Sequence, residues 1–113
     1  MNRLSLAALI ALMAFSTQAS AGITGSAKVR SALPLQTVDK VFFWIDKAIV
    51  GTPACNTQQR YVINYAAPGG PALYSAVLTA LTTGAAVTIE GTGNCTSWGD
   101  SEGVNWVRID APQ

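Results

Sequence analysis

The residues best suited to binding chemistry lie in one short stretch near the carboxyl end of the chain, CTSWGDSEGVNWVRID. Trp98, Asp100 and Glu102 fall within five positions of it. An indole offers a flat apolar face on which a sugar ring can stack, and carboxylates accept hydrogen bonds from hydroxyl groups. One hypothesis is therefore a ligand-binding loop at these three residues, in which Trp98 stacks on a sugar ring and the carboxylates accept from its hydroxyl groups.

The same loop also has a purely structural interpretation. SWGDSEG is typical of a polar hairpin turn, in which Trp98 would fold over a disulfide at Cys95 while Asp100 and Glu102 point into solvent without converging. Large aromatic side chains are usually buried to a high degree, which favours this interpretation. Both alternatives are open at this point.

Catalysis and metal binding are disfavoured by the residue types that the sequence lacks. The chain contains no histidine, and its two cysteines are not in CxxC spacing. Without these groups the usual general bases, activated thiols and zinc ligand sets cannot be assembled. We expect a protein that is not an enzyme, with no catalytic residues, no metal site and no cofactor.

The first 21 residues predict a signal peptide. Arg3 precedes an apolar run over residues 4–15, and Ala19, Ser20 and Ala21 form a small-residue cleavage site before Gly22. The run is well short of the roughly 20 apolar residues that span a bilayer, so no membrane span is expected. The leader is typical of bacteria, and we expect a secreted or periplasmic protein with one domain over residues 22–113.

Export places the two cysteines in an oxidising compartment, where disulfides form and persist. Cys55 and Cys95 are therefore predicted to pair rather than to act as a metal pair or a catalytic thiol. A loop of about forty residues closed in this way stabilises a small domain by roughly 4 kcal/mol.

The charge balance argues against polyanion binding. Arg3 is the only charged side chain of the leader, so six basic and six acidic residues remain in residues 22–113. Nucleic-acid binding needs a surplus of Lys and Arg that releases counterions from phosphates, and no basic cluster exists here. We expect no nucleic-acid partner.

Periodicity predicts the elements that would position the loop. Alternating apolar residues predict five strands, and helical spacing from Pro71 to Leu81, followed by Gly84, predicts one helix. In chain order the strands cover about 25–33, 38–46, 60–66, 85–91 and 104–110, with the helix at about 71–83. The order β-β-β-α-β-β predicts a mainly β fold with one helix, a small five-stranded Greek-key barrel of the OB-fold type. The alternative is a small α+β sheet with the helix packed across one face.

The second strand also predicts a surface for self-association. In VDKVFFWID, Val41, Phe43 and Ile45 share one face, which leaves Phe42 and Trp44 on the other. An outward pair of aromatic residues on a domain with few charges is typical of a subunit interface. We expect a homo-oligomer that uses Phe42 and Trp44.

Four runs of residues, VFFWIDKA, PAC, ALYSAVLTALTTG and AAVTIEGTG, resemble the B subunits of subtilase-type cytotoxins and the small secreted proteins related to them. The resemblance covers about residues 38–91. It implies an exported OB-fold protein with an internal disulfide, assembled as a ring of five, that binds cell-surface glycans. A secreted interaction or inhibitor module that binds no sugar is the alternative function.

The residues of the family's sialic-acid pocket are not matched. The family uses an Asp and a Ser before the first strand and a Tyr just after the fourth. This chain has Thr24 and Ser26 in the first region, and Gly91 stands where the Tyr would be. The resemblance therefore extends to the barrel and not to that pocket.

Overall fold

A computed structural model describes residues 21–111, so the predicted signal peptide lies outside the described residues except for Ala21. Seven elements follow one another in the described chain. They are β1 (Ile23–Leu35), a 3-10 turn (Gln36–Val38), β2 (Lys40–Ile45), β3 (Tyr61–Asn64), α1 (Gly70–Thr83), β4 (Ala86–Gly91) and β5 (Glu102–Ile109).

The five strands form a closed barrel in the order β1-β2-β3-β5-β4, with β4 paired back onto β1. The first half of β1 pairs with β4 and the second half with β2, and two irregularities in its register let it bend between them. All pairings are antiparallel except that of β3 with β5, which is parallel and only two residue pairs long, Tyr61 with Glu102 and Val62 with Gly103. The predicted mainly β fold with one helix and a five-stranded barrel is confirmed, while the OB-fold type in particular stays a prediction.

The barrel interior is filled by alternate residues of the strands. Val41, Phe43 and Ile45 of β2 all point inward, which confirms the face assigned from their alternation. Phe43 stacks on Tyr61 of β3 with ring centroids 5.2 Å apart. The other strands contribute mainly small and β-branched side chains to the same cluster, namely Ala27, Val29, Ile63, Val87 and Ile89.

Helix α1 joins the end of β3 to the start of β4 and packs against β1, β3 and β5. Its buried stripe is Val77 and Ala80, with Leu73 and Leu81 partly buried beside them. The helix ends at Gly84, which adopts a left-handed conformation with φ of 70° and donates its N–H to the Ala80 carbonyl. No helix within residues 21–111 is long and apolar enough to cross a membrane.

The barrel therefore has two different ends. At the helix end, α1 covers the interior with apolar side chains. At the loop end, where β3 and β5 begin, the β2–β3 loop (residues 46–60) and the β4–β5 loop (residues 92–101) lie together, and several polar side chains are buried beside the apolar Ile49. Those buried polar residues are Thr24, Asn56, Ser101 and Glu102.

Candidate functional site

Arg60 organises the outer surface at the loop end. Its guanidinium carbon lies 3.9 Å from the Phe42 ring centroid and 5.4 Å from that of Trp44. The same group donates to Ser101 Oγ at 2.7 Å and pairs with Asp100 Oδ1 at 3.2 Å. Only 14% of the Arg60 side chain is exposed. One side chain thus connects the outside of β2 to the β4–β5 loop.

Trp98 lies at the edge of this arrangement. Its ring meets Phe42 edge to face, with centroids 5.3 Å apart and planes at 77°. The backbone turns tightly here, since the Ser101 N–H donates to the Trp98 carbonyl at 3.0 Å. The residue is half-buried, so part of the indole is held by Phe42 and part of it reaches solvent.

Phe42 corrects one expectation about the outer face of β2. The side chain does point outward, as its alternation predicts, but it is only 1% exposed because Arg60 and Trp98 cover it. It is therefore unavailable to a second subunit in this conformation. Trp44, the other residue of the expected interface, stays half-buried with part of its ring accessible.

Asp100 and Glu102 do not converge on Trp98 as the binding-loop hypothesis requires. Strand β5 begins at Glu102, two residues earlier than expected, and Glu102 pairs with Tyr61 of β3. Because side chains alternate across a strand, Glu102 points into the barrel and is 0% exposed. Asp100 stays outside, with 40% of its side chain exposed. The predicted pair of solvated carboxylates is wrong for Glu102.

The environment of Asp100 favours its charged form. The Ser101 hydroxyl donates to Asp100 Oδ1 at 2.8 Å, and this bond is the main reason that the pKa of Asp100 lies below its ordinary value. The Arg60 guanidinium adds to the effect. Asp100 therefore serves as the counter-ion of Arg60, and its Oδ1 is already occupied.

Glu102 has the opposite environment. Its Oε2 accepts the Gly93 N–H at 3.1 Å, while Oε1 has no hydrogen-bond partner among residues 21–111. Burial raises the pKa of Glu102, against smaller lowering effects of the Gly93 N–H and the nearby Thr52 hydroxyl. Burial likewise raises the pKa of the adjacent Tyr61 to about 12, and its hydroxyl lies 3.3 Å from Thr24 Oγ1.

The predicted disulfide between Cys55 and Cys95 is confirmed. It joins the β2–β3 loop to the β4–β5 loop, across the start of the short parallel pairing between β3 and β5. Gln58 strengthens the same connection, because its N–H donates to the Asp100 carbonyl at 3.3 Å. The loop that carries Trp98 is thereby fixed covalently to the loop that leads to Arg60.

Shallow depressions flank the covered middle of β2. Two of them, of about 390 and 410 Å³, share Trp44 and Arg30, and the second also includes Gln58 and Gln59. A third, of about 420 Å³, lies beyond the Trp98 loop over Val62 and Val104 of the sheet. Its rim carries three hydroxyl groups, one amide and one ammonium group. They belong to Thr92, Thr96, Ser97, Asn64 and Lys40, in that order.

A further depression, of about 790 Å³, lies elsewhere, over β1, β4 and the end of β5. Its basic groups are already engaged: Arg108 pairs with Asp110 at 2.8 Å, and Lys28 donates to the Gly84 carbonyl. The Thr88 hydroxyl is bonded to Asp110 at 3.0 Å. We therefore place the candidate site on β2, where the accessible aromatic surface lies. No group of three or more potential metal ligands occurs within residues 21–111.

Arg60 and Arg30 are the residues of the candidate site that the sequence patterns did not indicate. Arg60 is the only basic residue between Lys47 and Arg108, and it directly precedes a strand. Its isolation from other charges was the one signal in the sequence, because a guanidinium stacks on aromatic faces and pairs with carboxylates. Its actual partners lie 18 and 40 positions away, beyond the reach of local periodicity.

Comparisons of the chain with protein-family models, with curated proteins and with solved structures found no match in any of the three. A functional interpretation therefore depends on the geometry of the chain itself and on its sequence.

Proposed function

We propose that this chain is an exported bacterial binding protein, without a catalytic step, that recognises carbohydrate on the outer face of β2. The observation that carries the proposal is the pair of partly accessible indoles, Trp44 and Trp98, on either side of the packed Phe42 and Arg60. Aromatic faces held rigidly at a surface are suited to stacking against sugar rings at low entropic cost.

The polar groups around the two indoles suit a hydroxyl-rich ligand. Near Trp44, Arg30, Gln58 and Gln59 supply donors and acceptors. Near Trp98, the hydroxyl and amide rim of the third depression does the same. The charge of Arg60 is balanced by Asp100, so the centre of the face does not attract polyanions.

Export is supported by the predicted leader and by the disulfide, which is typical of oxidising compartments. The resemblance to cytotoxin B subunits supports glycan binding and self-association, with five copies as the expected number. Since Phe42 is covered, Trp44 is the remaining aromatic candidate for an interface on this face, and a second copy packed on Trp44 would leave Trp98 as the sugar-binding indole.

A second candidate function is a protein-interaction or inhibitor module. It is favoured by a crevice of about 370 Å³ between the β1–β2 turn and α1, where Tyr65, Tyr74 and three apolar residues line the surface and Gln36, Asp39 and Lys40 lie among them. Leu33, Val38 and Tyr65 are exposed in this region. Such a surface suits a protein partner better than a sugar.

A glycan array tests the proposed function. The wild-type chain from residue 22 should bind a defined set of oligosaccharides, and Trp44→Ala and Trp98→Ala should each lose that binding. Trp106→Ala is the matched control, because Trp106 lies on β5 opposite Glu90 and away from β2. Loss of binding in the control alone would place the site elsewhere.

A wild-type chain that binds no glycan on the array would contradict the carbohydrate proposal and favour the interaction module. Light scattering on the same samples tests self-association. A mass close to five chains is expected from the resemblance, and a monomer at high micromolar concentration would exclude the ring.

A further inference from the structure

Glu102 is the only Asp or Glu that is fully buried within residues 21–111. A buried carboxylate normally has its oxygens paired with cations or several N–H groups, because burying an unpaired charge is costly. Here Oε2 accepts one bond and Oε1 accepts none. One N–H donor is less than a buried carboxylate needs, whereas a neutral acid carries no charge to compensate and has the Thr52 hydroxyl as its nearest polar side chain.

The carboxyl group lies at the base of the β4–β5 loop. Its Oε2 contacts both Gly91, which ends β4, and the Gly93 N–H in the loop. The backbone of Glu102 itself begins β5, at the other end of the same loop, and its N–H donates to the Arg60 carbonyl at 3.3 Å. One side chain therefore joins the two ends of the loop that carries Cys95, Trp98 and Asp100.

Among the described residues, 21–111, no cation pairs with this carboxyl group. Tyr61 faces it from β3, the Thr52 hydroxyl from the β2–β3 loop, and the Gly93 N–H from the β4–β5 loop. From β1, Thr24 reaches only as far as the Tyr61 hydroxyl.

The charged groups of the adjoining loops and strands are engaged elsewhere, and Arg108 pairs with Asp110. Arg60 and Asp100 pair with each other on the outer surface, Lys47 donates to the Gly25 carbonyl, and Glu90 accepts from Asn105. An ionised Glu102 would thus have only dipoles for compensation.

We propose that Glu102 is a proton-dependent positioning residue: as a neutral acid it holds the β4–β5 loop in place, and its ionisation loosens the loop and changes how Trp98 is presented. The inference deepens the carbohydrate function proposed above by adding regulation of the same site. Its tests use no sugar, so that either proposal can fail without the other.

The direction of the pH effect follows from the raised pKa of Glu102. A carboxyl group whose pKa is higher in the folded state binds its proton more tightly there. The closed loop is therefore fully stabilised below the ordinary glutamate value of 4.5 and loses that stabilisation as the pH rises through the folded-state pKa. Loop opening should become about tenfold more favourable for each pH unit between the ordinary value of 4.5 and the raised folded-state pKa, and should level off above it.

Two measurements test this. Amide exchange of residues 92–101, corrected for its intrinsic pH dependence, should quicken between pH 5 and pH 8 in the wild type. Acrylamide quenching of Trp98, in a Trp44→Phe/Trp106→Phe background, should rise over the same range. Glu102→Gln should abolish both trends and melt at a higher temperature than the wild type at pH 8.

Glu90→Gln is the matched control, because Glu90 is the only other glutamate and lies outside the barrel; it should follow the wild type. Equal pH slopes in Glu102→Gln and the wild type would overturn the proposal. If Glu102→Gln does not fold, carbon-13 NMR of the wild-type Glu102 carboxyl decides. A titration midpoint at or below 4.5 would overturn the proposal, and a higher one would support it.

Discussion

The two ends of the barrel close the same interior by different means. At the helix end, Val77 and Ala80 fill the opening with apolar groups that need only fit in volume. At the loop end, Tyr61 and Glu102 lie among polar neighbours, and the loops above them are joined by a disulfide. Polar side chains that close one end of a barrel need specific hydrogen-bond partners, and their stability depends on pH where they titrate. Apolar side chains at the other end have neither requirement.

This difference indicates where function can be accommodated. The helix end contributes stability that should be insensitive to pH and redox conditions. The loop end combines the disulfide, the buried acid and the accessible indoles in one place, so changes there should alter stability and binding together. Loops positioned by a rigid scaffold are where binding residues are concentrated.

The largest effect should come from removing the disulfide. Cys55→Ser/Cys95→Ser should lower the free energy of unfolding by about 4 kcal/mol, because the forty-residue loop regains its freedom in the unfolded chain. Denaturant unfolding of oxidised wild type and of the double variant measures this. If the two unfold at the same denaturant concentration, the loop end is held by its noncovalent contacts alone.

Gly91→Ala should be the next most damaging change. A Cβ at this position would overlap Glu102 Oε2, so the buried carboxyl must move, at a cost of about 3 kcal/mol. The double variant Gly91→Ala/Glu102→Ala should lose less stability than the sum of the single variants, since the added methyl then has room. Strict additivity in this double-mutant cycle would show that the two groups are not in contact.

Val77→Ala is the corresponding change at the helix end. Removing two methyl groups from a fully buried site should cost about 2 kcal/mol. Thermal melts at pH 5 and pH 8 should show the same loss, in contrast to Glu102→Gln. A loss that varies with pH would mean that the two ends are coupled.

Trp98→Ala should have a smaller effect on stability and a large one on binding. The half-buried ring keeps one edge contact to Phe42, so we expect a cost of about 1.5 kcal/mol, below that of a fully buried aromatic residue. Urea unfolding and the glycan array on this variant should separate the two roles. A cost of 4 kcal/mol with unchanged binding would assign Trp98 to the core.

Asp100→Asn should be the mildest change, confined to the surface. Its lowered pKa means that ionised Asp100 stabilises the fold at neutral pH, and that this contribution fades as the pH falls below the ordinary value of 3.8. The wild type should therefore lose stability on acidification and the variant should lose less. Acid titrations followed by circular dichroism compare the two proteins. Parallel curves would show that Asp100 does not contribute to the stability of the fold.

Much of the barrel could be predicted from local patterns. The alternation in β2 identified its buried face, and Pro71 and Gly84 marked the two ends of the helix. The predicted export of a chain with two cysteines indicated their pairing. The first two signals depend on residues that are close in the sequence. The disulfide was predicted because no other cysteine could be the partner. The physical basis of the first two signals is periodicity and backbone conformation, which a single sequence displays directly.

The site was predicted less well because it depends on contacts between distant segments. Nothing near Phe42 in the sequence shows that Arg60 and Trp98 cover it. Similarly, Glu102 resembles a solvated loop residue until the pairing with Tyr61 extends β5 and turns the carboxyl inward. Polar residues in buried positions oppose the usual pattern of hydrophobicity, so they escape analysis by periodicity.

The parallel contact between β3 and β5 has a mechanical consequence. With two residue pairs it is the shortest strand pairing of the barrel. A pulling force on the chain would be expected to separate the strands of the barrel first at this pairing. The Cys55–Cys95 disulfide lies next to that pairing, and as a covalent bond it does not separate under forces that break hydrogen bonds. Under tension a longer strand pairing should therefore separate before the β3–β5 pairing does. The loops that carry Cys55, Cys95 and Trp98 should stay together after other strands have separated.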